Sequence, residues 1–203
     1  LTASNTLADI DGLGAISYQW QADGANIGGA TASTLVLAEA QVGKAISVTA
    51  SYTDGHGTAE SVTSTATAAI ANINDAPTGT VTLSGSAAQN QTLIAANTLA
   101  DADGLGTVGY QWQSSTDGTT WSDINGATAS SFTLGETQVG QQVRALASYT
   151  DGHGTSESIA SSATTAIANI NDAPTGTVTI SGTATQNQTL TASNTLADID
   201  GLG

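Results

Sequence analysis

Cysteine and methionine are both missing from the 203 residues. Disulfide stapling, thiol catalysis and any cysteine-ligated metal site are therefore excluded. Positive charge is scarce too: 2 Lys or Arg stand against 17 Asp or Glu, a formal net charge of −15. A nucleic-acid binder held by phosphate contacts needs clustered basic side chains, so that class is excluded, and with it a basic phosphate-cradling loop. Aromatics make up 4% of the chain, sparse for a dedicated binding face. No apolar run approaches the ~18 residues that a membrane span requires. What remains is 39% hydrophobic, Ala above all, with abundant Thr, Ser and Gly. That composition suits small β-domains and not an acidic disordered chain. The length admits about two domains of the usual ~100–150 residues.

The chain repeats itself, and this organises everything else. LTASNTLADIDGLG opens at Leu1, reappears as LIAANTLADADGLG from Leu93 and returns unchanged from Leu190. SYTDGHGT begins at Ser51 and Ser148, and IANINDAPTGTVT at Ile70 and Ile167. The second copy is longer after its Trp, carrying QSSTDGTTWSDING where the first has QADGANIGG. Both prolines, Pro77 and Pro174, follow an Asn/Asp run and precede Thr-Gly, which reads as an extended linker. Cutting there gives a partial repeat at 1–74, a complete one at 75–171 and the first two strands of a third at 172–203. The pattern opens in mid-repeat, so the expectation is a window cut from a longer tandem array.

In the complete copy, alternating or β-branched runs occur at residues 78–84, 91–99, 107–113, 119–124, 131–134, 142–150 and 156–167. Asp103-Gly104, Asp117-Gly118, Asn125-Gly126 and Asp151-Gly152 punctuate them as turns. Seven strands in this span predict an all-β fold: tandem immunoglobulin-like (cadherin-like) β-sandwich domains, end to end. Tyr110 and Trp112, two apart, share one face of the third strand, where such folds keep a core Trp.

The acidic residues recur at fixed places. Asp101 and Asp103, with counterparts Asp9/Asp11 and Asp198/Asp200, lie in the loop between strands two and three. Asp151, and Asp54 in the first copy, open the hairpin between strands six and seven, while Asp75 and Asp172 stand in the linkers. In an immunoglobulin-like topology those loops and the incoming first strand share one end. Asp75, Asp101, Asp103 and Asp151 are thus expected to converge at a junction between repeats. Carboxylates without basic partners repel, and an oxygen-seeking cation, Ca²⁺ in an extracellular module, resolves the repulsion. The other reading is that Asp-Gly is simply good turn chemistry. An EF-hand loop is excluded, because Trp20 and Trp112 occupy the twelfth position where its Glu belongs. The glycine-rich nonapeptide of calcium β-rolls is absent as well.

The linker N-I-N-D-A-P, at residues 72–77 and 169–174, resembles the D-x-N-D-N-x-P linker of cadherins, and Asp101-Ala102-Asp103 resembles their Asp-Ala-Asp loop. The resemblance implies that Asn72, Asn74 and Asp75 join Asp101 and Asp103 around bridging calcium. It implies the same for Asn169, Asn171 and Asp172 with Asp198 and Asp200. Asn72 stands where cadherins have Asp, and Ala76 where they have Asn, so fewer ions or weaker binding would follow. Glu39, Glu136, Glu60 and Glu157 are the candidates for the cadherin glutamate ligands of the preceding domain. The repeat as a whole, with YQWQ, SYTDG and NDAP, resembles the extender modules of giant RTX adhesins of Gram-negative bacteria. That resemblance implies a stalk, exported by type I secretion, that projects a terminal ligand-binding region from the cell surface. Its partners would be neighbouring repeats, without a nucleic acid, membrane insertion or a small-molecule substrate.

No catalytic arrangement stands out, and the expectation is a protein that is not an enzyme. His56 and His153 sit in the DGHG hairpins, as polar turn residues or as a further metal ligand. Trp121, in the longer copy alone, either packs its hairpin onto the sheet or stacks on a sugar ring; the latter would make a carbohydrate- or protein-binding immunoglobulin-like module the alternative function. For the cut ends, residues 175–196 of a neighbouring chain would complete residues 1–74 head to tail, unless the chain is a repeating unit of a longer array. With calcium shared between repeats the joints would stiffen, and without it they would flex.

Overall fold

The computed structural model describes residues 1–201. They are β throughout, with short 3-10 turns and no α-helix. Among them no helix is long and apolar enough to cross a membrane. The chain divides into two compact units, Leu1–Ala76 and Pro77–Gly203.

In the first unit, β1 (Ser17–Ala22), β2 (Ala25–Asn26), β3 (Ile46–Thr53) and β4 (Ala59–Thr63) form one antiparallel sheet in the order β2-β1-β3-β4. Asp23 and Gly24, at φ +49° and +81°, make the tight two-residue turn between β1 and β2. Trp20 and Ile46 are buried in its core, and the Trp20 indole N–H is satisfied by the Ala32 carbonyl at 2.9 Å.

The second unit holds β5 (Val81–Ser84), β6 (Thr92–Asn97), β7 (Gly109–Ser115), β8 (Ser122–Asp123), β9 (Ser131–Thr133), β10 (Gln142–Thr150) and β11 (Ser156–Ala160). They form two antiparallel sheets, β5-β6-β9 and β11-β10-β7-β8. A hairpin of β12 (Val178–Ser181) and β13 (Thr191–Asn194) follows. The core gathers alternate residues of both larger sheets: Val81, Leu93 and Ala95 from one, Trp112, Val143, Ala145, Ala147 and Tyr149 from the other. Trp112 is fully buried, packs on Phe132 at 5.6 Å between ring centroids, and donates its indole N–H to the Ala129 carbonyl. Tyr110 packs against the same cluster, as the two-residue spacing predicts.

The seventh strand stops short of its expected end. The run at 156–167 is ladder only as far as Ala160, because hydroxyls then intercept the pairing. Ser161 Oγ accepts from the Ala145 amide and Thr164 Oγ1 from the Val143 amide, while the Ser161 and Thr164 amides return to the carbonyls of Ala145 and Val143. Beyond them the chain pairs in parallel with two other segments, Ile167 beside Val139 and Ala168 beside Ala88. These bridges fix where the linker leaves the complete repeat.

Candidate metal centre

The Asp-x-Asp loops are built identically in both units. Asp9 Oδ1 accepts the Asp11 amide at 2.9 Å, and Asp9 Oδ2 accepts the Tyr52 hydroxyl at 2.9 Å. Asp101 does the same with the Asp103 amide and the Tyr149 hydroxyl. Burial, reinforced by Asp101, raises the Tyr149 phenol above its ordinary value, while in the half-buried counterpart Tyr52 the Asp9 hydrogen bond is the main cause of the same shift. Asp198 Oδ1 likewise accepts the Asp200 amide at 2.9 Å. In each pair the first Asp is engaged in shaping its own loop.

The hairpins are zipped to these loops through backbone. Gly152 N–H donates to the Asp103 and Gly104 carbonyls, both at 3.0 Å, as Gly55 N–H does to Asp11 and Gly12. Asp151 Oδ1 accepts the His153 and Thr155 amides, and Asp54 Oδ1 accepts those of His56 and Thr58. Burial pulls the Asp151 carboxyl upward, but the Thr155 and His153 bonds outweigh it and hold the group below the ordinary carboxylate range. For Asp54 the Thr58 amide is the leading cause of a shift in the same direction. Asp151 is only 7% exposed, and its Oδ2 is buried with no hydrogen-bond partner.

Within the first unit, Asp11, Asp54 and His56 bring ligand atoms within 4.8 Å of one another, with His56 Nδ1 3.6 Å from Asp11 Oδ1. In the same unit Glu39, Asn72 and Asp75 line one concavity, and Asn72 Oδ1 is buried without a partner. Asn74 turns its amide to the Asp75 carbonyl at 3.3 Å.

In the second unit three carboxylates converge from three successive segments: Glu136, Asp172 and Asp200 have oxygens within 4.8 Å of one another. Glu136 sits on the 3-10 turn Glu136–Gln138, which Gln138 fixes by accepting the Gly135 amide at 3.0 Å. Asp172 is in the linker, and its amide donates to Asp200 Oδ2 at 2.7 Å. Asn171 donates to the Asp172 carbonyl at 3.0 Å. Glu136 Oε2 is buried and has no hydrogen-bond partner. Two oxygens on one Ca²⁺, each at about 2.4 Å, lie at most ~4.8 Å apart, so this group fits a single calcium shell. Uncompensated, each carboxylate pair costs between ~1 kcal/mol in water and ~4 kcal/mol near a protein surface. The only arginine, Arg144, is taken up elsewhere: it lies 4.3 Å from the Trp121 ring centroid and donates to Gln113 Oε1 at 2.8 Å.

Of the other expected ligands, Asn169 is exposed beside the linker's parallel pairing, and Glu60 and Glu157 lie on β4 and β11, cross-strand from Tyr52 and Tyr149. Among the described residues neither Glu joins a carboxylate group. One participant was not legible in the sequence. Gln89, 3% exposed, donates to Asp172 Oδ2 at 2.8 Å and accepts the Ile170 amide at 3.0 Å. It sits in A-Q-N-Q, which reads as a polar turn; the return of Q-N-Q at Gln186 is the one trace it leaves.

No curated protein matches the chain. Residues 83–170, from within β5 to the start of the linker, match a family described as a domain of unknown function, DUF8696.

Proposed function

We propose that this chain is part of a structural extender: immunoglobulin-like, cadherin-like sandwich repeats whose junctions are stiffened by Ca²⁺. It acts as a stalk and catalyses nothing. Its setting is the bacterial cell surface, in an adhesin exported by type I secretion that holds a terminal ligand-binding region away from the cell. The observation that carries this reading is the meeting of Glu136 from one repeat, Asp172 from the linker and Asp200 from the next, with a buried, unpartnered Glu136 oxygen. A cation satisfying that oxygen would tie three segments together and restrict the angle between the repeats they belong to. The residues fit the ion by donor chemistry as well as spacing, since carboxylate oxygens are what calcium prefers. Affinity in the ~10⁻⁴–10⁻³ M range of extracellular modules would leave the joints loose in a cytosol and closed outside. Trp121 supports the stalk over a sugar-binding module, because Arg144 stacks on its ring.

Small-angle X-ray scattering of the 203-residue chain, titrated from chelator into millimolar calcium, tests the reading. The expected result is a lengthening maximum dimension that equimolar magnesium does not reproduce and that D172N/D200N reduces. A scattering profile indifferent to calcium would overturn it.

A further inference from the structure

We infer that Gln89 is the positioning residue of the Glu136–Asp172–Asp200 site, its buried amide holding Asp172 ready for the cation. This rests on the calcium reading above. Both ends of the side chain are spent on the linker, 81 and 83 residues further on: Oε1 accepts the Ile170 amide, and Nε2 donates to Asp172 Oδ2. The backbone repeats the grip. Gln89 N–H donates to the Ala168 carbonyl and Ala168 N–H to the Ala87 carbonyl, both at 2.9 Å. An amide suits the task better than a cation would. Lys or Arg at this place would neutralise Asp172 and compete with the metal, whereas a neutral N–H fixes the carboxylate and leaves its charge intact. Asp172 in turn donates its own amide to Asp200 Oδ2, so the order imposed at Gln89 reaches the loop of the following repeat. Burial at 3% exposure keeps water from replacing either bond. A metal site whose ligands are already in place loses less freedom on binding, which raises its affinity.

Two substitutions in the full chain separate positioning from mere packing. Gln89→Met fills the volume and makes neither bond. Gln89→Glu keeps an acceptor for Ile170 and sets a carboxylate against Asp172. Calorimetric titration with CaCl₂ is expected to show Q89M binding about tenfold more weakly than the wild type, the scale of loss when an outer-shell partner is removed. Q89E is expected to lose more melting temperature in chelator than in millimolar calcium, since the cation relieves the new repulsion. The inference is overturned if Q89M binds calcium like the wild type, or if Q89E loses equally in both conditions. A wild type that takes up no calcium overturns the calcium reading, and the positioning role falls with it. A wild type that binds while Q89M binds as well removes Gln89 alone.

Discussion

Asp101 gives one carboxylate oxygen to the Asp103 amide and the other to the Tyr149 hydroxyl, so it is engaged within its own repeat. In the third copy the same division leaves Asp200, not Asp198, to meet Asp172 and Glu136. In that copy two residues of one type, two apart, thus do different work: Asp198 shapes the loop and Asp200 meets the linker. That shaping depends on backbone contact as close as van der Waals radii permit. A Cβ added at Gly152 would run into the Asp103 carbonyl, and that same carbonyl accepts the Gly152 amide. Gly152→Ala must therefore prise the Asp151 hairpin from the Asp101–Asp103 loop, the kind of overpacking that costs ~1–3 kcal/mol. Gly28 faces open space at an ordinary φ, so Gly28→Ala is expected to stay within about 0.5 kcal/mol. Urea denaturation of the two variants checks the contrast, and equal losses would mean the loop and hairpin are not coupled.

The longer hairpin of the second copy shows how an element is added without disturbing the frame. The insertion is stapled at both ends. Gln113 Nε2 donates to Asp123 Oδ1 at 2.8 Å across the β7–β8 pair, and Arg144 joins Gln113 to the Trp121 ring. At the tip, Asp117 accepts the Thr120 and Thr119 amides and the Ser115 hydroxyl, which hold its carboxyl far below the ordinary range. A depressed folded-state value means stability present at neutral pH and lost as acid protonates the group. Asp117→Ala should accordingly lower the melting temperature by a few degrees at pH 7, and the gap to the wild type should close as pH falls below ~4. Calorimetry across that range reads it, and a gap constant with pH would show that the charge is irrelevant to the turn. Strand positions were legible because Asp-Gly and Asn-Gly turns bracket them. The end of β11 was not, since Ser161 and Thr164 fit a strand by propensity, and only the fold shows their hydroxyls replacing ladder bonds. Gln89 was hidden for a related reason: a buried amide surrounded by Asn and Gln looks like surface until its partners, more than 80 residues away, are known. Spacing likewise located the Asp-x-Asp loops but could not say which Asp closes the loop, because the Tyr partner comes from a strand over 40 residues distant.

At the scale of the chain, 17 carboxylates and 2 basic residues make repulsion a property of the whole molecule as well as of one site. Two mechanisms by which calcium would stabilise such a molecule must then be told apart. General screening acts through ionic strength alone, and a millimolar divalent salt leaves the Debye length well above the ~10 Å reached at 0.1 M. Specific binding acts through mass action: a site filled at 10–100 times its dissociation constant adds roughly 1.4–2.7 kcal/mol. Carboxylates gathered from three separate segments suit calcium's flexible, many-oxygen shell better than magnesium, which demands near-ideal octahedral geometry and gives up its waters reluctantly. In chelator, sodium chloride at several hundred millimolar should raise the melting temperature modestly by screening. Calcium at 5–10 mM should raise it by several degrees more than magnesium at the same concentration, whose ionic strength is identical. Were the two divalent ions equivalent, the carboxylates would be acting as a diffuse charge, and a stalk stiffened at discrete joints would lose its physical basis.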